Sequence, residues 1–377
     1  MNKQIKIGVI GCGQRAGLIK FLIRENIVVH GVFDPSEKML NKFLSAYGNT
    51  ETIVYDSYEK LLLNKEIDWV LIFSPNAFHR EHAEASFRAG KNVFCEKPLA
   101  VSIDECLAIN TAHQKSGKLF ATGFVLRYAP LYLKTREILS SGILGKIISI
   151  DANENITPHH GAYIMTNWRR FRHLAGPHIL EKCVHDIDLL NWFTESVPVK
   201  IAAFGGNNYW ISENNGALPA EEWSGWFDKN IDTDNPYLSE KTIEDNVVAI
   251  MEYANSMRVQ FQASMGNTIP ERRMYFHCTK GNLIIDLYKR ELKYKAAGGK
   301  EEIYNNEGDM HGGGDKIIMS ELAVSMLQGK PPRCSGQEGL LSAVSALAVD
   351  QARSSGAVIN LSGQWKKLGI SLPVLKK

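Results

Sequence analysis

The chain has 377 residues, 44% of them hydrophobic, which is enough for ordinary cores and suits two domains better than one. With 43 basic and 41 acidic residues the formal net charge is only +2 and no Lys/Arg-rich block appears, so no nucleic-acid partner is expected. No apolar run reaches the length of a membrane span, so no membrane partner is expected either.

Residues 5–10 read as an apolar strand that runs into Gly11-Cys12-Gly13-Gln14-Arg15-Ala16 and a helix-compatible run. A second strand follows and ends in an acid, Asp34, 23 residues after Gly11. That is the pattern of a dinucleotide-binding βαβ unit. Gly11 permits the tight turn, Gly13 lets the backbone approach a pyrophosphate, and Ala16 lets the helix sit close to the strand. The helix N-terminus, with its unpaired N–H groups and macrodipole, then favours an anion. The sequence around Cys12 also faintly resembles a lipoprotein cleavage site, but the preceding apolar stretch is short and broken by Lys6 and Gly8. The six scattered cysteines form no CxxC pair, so a reduced, cytoplasmic compartment is expected.

Asp34 also chooses between cofactors. A carboxylate at the end of the second strand accepts bonds from both ribose hydroxyls, whereas a 2′-phosphate brings two like charges together. At about 4 Å and an effective dielectric near 20, one unit-charge pair is worth roughly 4 kcal/mol. NAD is expected over NADP, although Arg15 offsets part of this if it reaches a phosphate.

Strands and helices alternate through the first third. Residues 68–73 read as a buried strand, 77–89 as a helix ended by Gly90, and 92–95 as a strand. Residues 102–116 read as a helix capped by Ser102 with Glu105 three residues on, and 119–122 close the set. The expected fold class is α/β, an N-terminal Rossmann doubly wound parallel sheet. Ser74-Pro75-Asn76 with His79 follows one strand, and Cys95-Glu96-Lys97-Pro98 follows the next. Both segments sit at the carboxyl ends of parallel strands, where ligands bind in such sheets. Lys97 there lies beside the presumed nicotinamide.

Beyond about residue 123 the pattern changes. A helix at 130–140 leads to a strand near 146–153, then to a polar and aromatic loop, then to an amphipathic helix at 178–193. Alternating strands are expected around 244–253, 258–264, 272–278 and 282–286, which implies a C-terminal α+β domain with a mainly antiparallel sheet. Residues 205–241 have weak periodicity and read as a substrate-covering loop or a mobile insertion. Two helices, 315–327 and 336–352, finish the chain. On the helix from His178, Glu181 and His185 are four apart with Asp188 three further on, so one face carries them. Carboxylates beside His185 suit a general base.

The chain resembles the Gfo/Idh/MocA oxidoreductases, which include glucose-fructose oxidoreductase and inositol dehydrogenase. The resemblance rests on GCGQRA, SPNAFHREHA, CEKPLA, GFVLRYAPLY, EKCVHDIDLLNWF and GQEGLLSAVSALAV. It implies an NAD-binding domain at 1–122 and a substrate-binding and oligomerisation domain at 123–377 built on an open sheet, with a homodimer or homotetramer. It implies hydride transfer between a nicotinamide and a hydroxyl-bearing carbon of a sugar, polyol or cyclitol. The family's lysine and D-x-x-x-H histidine map to Lys97 and His185, with Glu181 replacing the aspartate. In this reading the catalytic residues are Lys97, His185 and Glu181: His185 takes the hydroxyl proton, Lys97 bonds the same oxygen, and Glu181 holds His185 or a neighbouring substrate hydroxyl. Cofactor contacts are expected from residues 11–16 (Gly11, Cys12, Gly13, Gln14, Arg15, Ala16), from Asp34, and from Ser74, Pro75, Asn76, His79, Glu96 and Lys97. Arg127, Tyr128, Trp168, Arg169 and His311 are candidate substrate-lining groups.

Three alternatives accompany this reading. One is a glycosidase or epimerase acting through transient oxidation with recycled NAD, for which Lys182, His178 and Asp186 are spare acid/base groups. Another is an NAD-sensing regulator. The last is a metalloenzyme using Glu181, His185 and His311, although no established metal signature is present and no metal is expected.

Overall fold

The computed structural model describes residues 4–226, 234–306 and 311–372. Two compact units emerge, residues 1–128 with 313–343 and residues 129–312 with 344–377. The single boundary expected after residue 122 differs from this partition because late residues pack with the first unit. Thr122 shows how: its N–H donates to the Cys334 carbonyl at 3.1 Å and its hydroxyl to the Ser335 carbonyl at 2.8 Å.

In the first unit, β1 (Ile5–Ile10), β2 (Ile27–Phe33), β3 (Ile53–Val54), β4 (Trp69–Ile72), β5 (Asn92–Cys95) and β6 (Phe120–Thr122) form a parallel sheet. Its order is β3-β2-β1-β4-β5-β6. β4 is buried along its whole length, as a strand covered on both faces requires. The order reverses between β1 and β4, the position beside which ligands bind in such sheets. The helix expected at 77–89 is a 3-10 turn, Asn76–Phe78, followed by an α-helix, His79–Arg88. The helix expected from Ser102 is Ile103–Ser116, and the Ser102 hydroxyl accepts the Glu105 N–H at 3.3 Å. After the glycine turn, however, Gln14–Phe21 is a 3-10 helix and not an α-helix. The Ala16 N–H closes onto the Gly13 carbonyl at 3.0 Å, and Gly17 in the middle lowers α-helical propensity.

The second unit holds β7 (Ile147–Asn155), β8 (Pro198–Gly206), β9 (Asn246–Tyr253), β10 (Arg258–Ser264), β11 (Arg273–Cys278), β12 (Gly281–Asp286), β13 (Glu291–Ala296), β14 (Glu301–Asn305) and β15 (Ile359–Asn360). Their order is β14-β13-β12-β11-β7-β10-β9-β8-β15, antiparallel throughout except for the β7–β10 pair. The α/β and α+β reading is therefore correct. Strands β8, β13, β14 and β15 go beyond the expected set. β13 and β14 escape notice because they are short and rich in Glu and Lys, and fully bury only Leu292.

Two segments are more ordered than expected. The polar and aromatic loop after β7 is instead a helix, Pro158–Thr166, a 3-10 turn, Trp168–Arg170, and a short helix, Arg172–Ala175. In the 205–241 stretch, residues 227–233 lie outside the described residues; residues 211–225 bury no side chain fully, while the flanking parts are anchored. Trp210 and Tyr237 are buried with Ile156, Ala162, Ile164, Met165, Ile243 and Met265. The Asp245 carboxylate accepts the backbone N–H groups of Asn208, Tyr209 and Trp210, the shortest at 2.9 Å. That anchoring ties the start of the stretch to the residue preceding β9.

Candidate active site

The turn after β1 is built from backbone. Gly11 has φ +89°, and a Cβ there would stand 2.5 Å from the Ser74 nitrogen, so only glycine fits between β1 and the loop after β4. At Gly13 a Cβ would meet no atom within 4 Å, which leaves open space beside the turn. Such space is what an approaching pyrophosphate requires, so these residues fit a dinucleotide. Ala16 is fully buried, as close packing under the turn demands. Asp34 is fixed from both sides, with Oδ2 accepting the Cys12 N–H at 2.6 Å and Oδ1 the Ser36 N–H at 2.8 Å. Burial and the Asp34 charge push the Cys12 thiol up to about 12, so it stays protonated. Beside Asp34 lies a cavity of about 480 Å³ lined by Phe33, Asp34, Pro35, Glu37, Leu40, Val54, Tyr55 and Asp56. Three of these residues are acidic and none is basic.

The loops after β4 and β5 are tied together by His79. It is fully buried, with Nδ1 2.8 Å from the Pro98 carbonyl and Nε2 2.9 Å from the Ser74 carbonyl. Burial lowers its pKa, so it stays neutral and donates to one carbonyl at a time. Asn76 is buried beside it in the sequence. Lys97 is half-buried and precedes Pro98 through a cis peptide, and its N–H donates to Glu96 Oε2 at 3.1 Å. Arg15 does not extend toward open space. Its guanidinium bonds Glu96 at 3.0 Å and Asp315 at 3.2 Å. Tyr128 is 2% exposed and lies beneath the Arg333 guanidinium, 5.4 Å from the ring centre. Arg127 is also buried, 4.0 Å from Glu338. Protein partners thus hold both residues proposed above as substrate-lining groups.

In the second unit the single amphipathic helix expected at 178–193 is two helices, His178–Glu181 and Val184–Thr194, broken at Lys182 and Cys183. The second is buried nearly all round. Glu181 and His185 therefore do not share the face of one continuous helix. Four charged side chains meet beside the break. Lys182 Nζ lies 2.9 Å from Glu154 Oε1, and Arg272 Nη1 lies 3.1 Å from the same oxygen. Arg272 also grips Asp186 with two bonds of 2.9 and 2.6 Å. Residues 182 and 186 are thus pinned to β7 and to the start of β11 from either side of the break. Burial opposes ionisation of Glu154, but Arg272 and Lys182 outweigh it and hold its carboxyl below the usual range. For Asp186 burial dominates and raises the pKa.

Glu181 is held differently. Arg169 Nε donates to its Oε1 at 3.0 Å and Nη1 donates to the Tyr163 hydroxyl at 2.9 Å. The guanidinium lies 4.5 Å from the Trp168 ring centre. Trp168, Arg169 and Glu181 thus form one assembly. His185 is 4% exposed, and its ring centre stands 6.2 Å from that of His311. Among the described residues no group of three or more His, Cys, Asp or Glu side chains is arranged to hold a metal ion. Sequence reasoning missed Glu154, Arg272 and Asp315. Glu154 is one of two acids in β7, with Asp151, and lies just past the strand expected at 146–153, so nothing in the sequence singles it out.

The first unit and the second carry the two halves of a known pattern. Residues 5–124 match the model of an oxidoreductase family with an NAD-binding Rossmann fold, and residues 136–361 match that family's C-terminal alpha/beta domain. The chain belongs to this Gfo/Idh/MocA oxidoreductase family. A 1,5-anhydro-D-fructose reductase from Ensifer adhaerens is 26% identical over 80% of this chain and 81% of its own length. An inositol 2-dehydrogenase/D-chiro-inositol 3-dehydrogenase from Lactiplantibacillus plantarum is 28% identical over 53% of this chain and 54% of its own. The fold matches that of levoglucosan dehydrogenase in complex with NADH and levoglucosan, with a TM-score of 0.78 at 16% identity over 96% of this chain and 100% of that one.

Proposed function

We propose that this oxidoreductase is an NAD-dependent dehydrogenase that acts on a hydroxyl-bearing carbon of a sugar, polyol or cyclitol. One observation carries it: the glycine turn, Asp34 and the Lys97 loop all lie at carboxyl ends of one parallel sheet, around its switch point. Substrates of this kind are those named for the anhydrofructose reductase and the inositol dehydrogenase. NAD is preferred because Asp34, Glu37 and Asp56 line the adjacent cavity and the neighbouring cation, Lys60, is already paired with Asp56.

When bound, the nicotinamide supplies the hydride acceptor. The turn at residues 11–16 takes the pyrophosphate through the backbone N–H groups the fold leaves to it, those of Gly11, Cys12 and Ala16 being bonded already to Phe33, Asp34 and Gly13, and Asp34 takes the ribose hydroxyls. His185 accepts the substrate hydroxyl proton, while the Lys97 ammonium bonds that oxygen and stabilises its developing charge. Glu181 keeps Arg169 against Trp168, and that assembly, with His311, presents donors and an aromatic face to a polyhydroxylated ring. Lys182 and Asp186 are spent in buried ion pairs, and His178, fully buried, has its pKa lowered by that burial. None of the three supports the recycled-cofactor route.

All six cysteines are free of disulfides, which supports a reduced, cytoplasmic setting. Phe204 and Val248, paired across β8 and β9, are exposed on one face of the second sheet together with Ile250, which supports a homodimer or homotetramer. Lys97→Ala and His185→Ala test the central reading, assayed with NAD and NADP against a panel of neutral sugars, polyols and cyclitols. Each variant should lose turnover by about 10² or more while NAD affinity holds, and the double variant should lose less than the product. A folded His185→Ala enzyme with normal turnover overturns the mechanism.

A further inference from the structure

Three stretches of the first unit, far apart in sequence, meet at Arg15. Its Nε donates to Glu96 Oε1 at 3.0 Å, and Nη2 lies 3.0 Å from the same oxygen. Nη1 and Nη2 donate to the two oxygens of Asp315 at 3.4 and 3.2 Å. All three guanidinium nitrogens are therefore engaged by carboxylates. Burial disfavours the Arg15 charge, but Glu96 and Asp315 outweigh it and keep the guanidinium ionised. Glu96 is 4% exposed, and its second oxygen accepts the Lys97 N–H. Gly123 completes the seat, because a Cβ there would stand 2.7 Å from Glu96 Oε2. Asp315 lies in the first turn of the helix Gly314–Gln328.

A planar fork bound to two carboxylates has a fixed orientation. We infer that Arg15, with Glu96 and Asp315, is a positioning clamp that fixes the backbone of Lys97 to the dinucleotide turn, and that Arg15 is not a pyrophosphate ligand. The inference deepens the proposed function and rests on Lys97 contacting the substrate. It makes Asp315, contributed from near the other end of the chain, a determinant of where the lysine stands. A displacement of about 1 Å at such a group costs up to roughly 10²-fold in rate.

Arg15→Gln, Arg15→Lys and Asp315→Asn test the clamp, with three measurements on each: NAD affinity by tryptophan fluorescence, turnover with whichever polyol or sugar serves the parent enzyme, and hydrogen exchange of a peptide covering residues 95–101. Arg15→Gln and Asp315→Asn should keep NAD affinity within about threefold and lower kcat about tenfold or more, since the loss is of orientation and not of binding. Exchange at 95–101 should accelerate while β1 stays protected. Arg15→Lys, which keeps the charge without the fork, should recover only part of the rate. NAD affinity weakened about tenfold with kcat retained would make Arg15 a phosphate ligand and end the inference. Unchanged exchange and kcat in Asp315→Asn would end it too. If Lys97→Ala keeps full turnover, the lysine reading fails by itself, and the exchange measurement still decides the clamp.

Discussion

The phosphate turn of the first unit is made of backbone, whereas the segment carrying His185 in the second unit is held in place by side-chain charges. Around Gly11 and Gly13 the determinants are a positive φ, a missing Cβ and a strand end, all within a few residues of one another. Around His185 they are Glu154, Lys182, Asp186 and Arg272, drawn from three elements and nearly inaccessible to water. In a turn of the first kind, Gly11 admits no side chain at all, whereas Gly13 tolerates change until its ligand arrives. A cluster of the second kind is tested at every moment, because a charge left alone in the interior is costly whether or not anything is bound.

The largest effect expected from that difference is at Arg272. Arg272→Met should cost about 3–5 kcal/mol of stability, since it strands Asp186 and Glu154 without their shared partner. Thermal unfolding with and without NAD measures it, and a loss of less than about 1 kcal/mol would show that the two carboxylates find other partners or protons.

Acid offers a second comparison, because both units bury histidines. Burial lowers the pKa of His82, to about 4, and also those of His79 and His178. The unfolded chain binds protons at these sites below about pH 6.5 while the native state does not, so stability should fall as pH drops from there toward 4. The slope is at most about 1.4 kcal/mol per pH unit for each histidine. Replacing His82 by Asn should flatten the curve of melting temperature against pH by up to one such increment, and an unchanged curve would mean His82 is protonated in the fold.

Two smaller effects isolate the backbone-built turn. Gly13→Ala should leave the melting temperature of the cofactor-free protein within about 2 °C, since the added Cβ meets nothing, yet weaken NAD binding by about tenfold by filling the space beside the turn. Equal affinity in the two proteins would show that the pyrophosphate does not approach Gly13. Asp34→Ser should narrow the preference for NAD over NADP by roughly tenfold, less than the bare charge repulsion implies because Glu37 and Asp56 remain. It also removes the acceptor for the Cys12 N–H, so a small loss of stability should accompany it.

The sequence by itself determined the parallel sheet, the glycine turn, the acid at the end of β2, the Lys97 loop and the alternating strands β9 to β12. These depend on period-2 burial, on turn chemistry and on spacing within one βαβ unit, all of which are local. Only the tertiary structure decided that the helix after Pro177 breaks at Lys182, that Glu181 belongs to Arg169, and that Arg15 faces Glu96 and Asp315. In each case the deciding partner lies 12 to 300 residues away. An i, i+4 pattern of carboxylate and histidine looks the same in a continuous helix and across a break. What separates the two lies outside the local pattern: Lys182 meets Glu154 and Asp186 meets Arg272, long-range pairs that an interior charge requires and that no i, i+4 spacing displays.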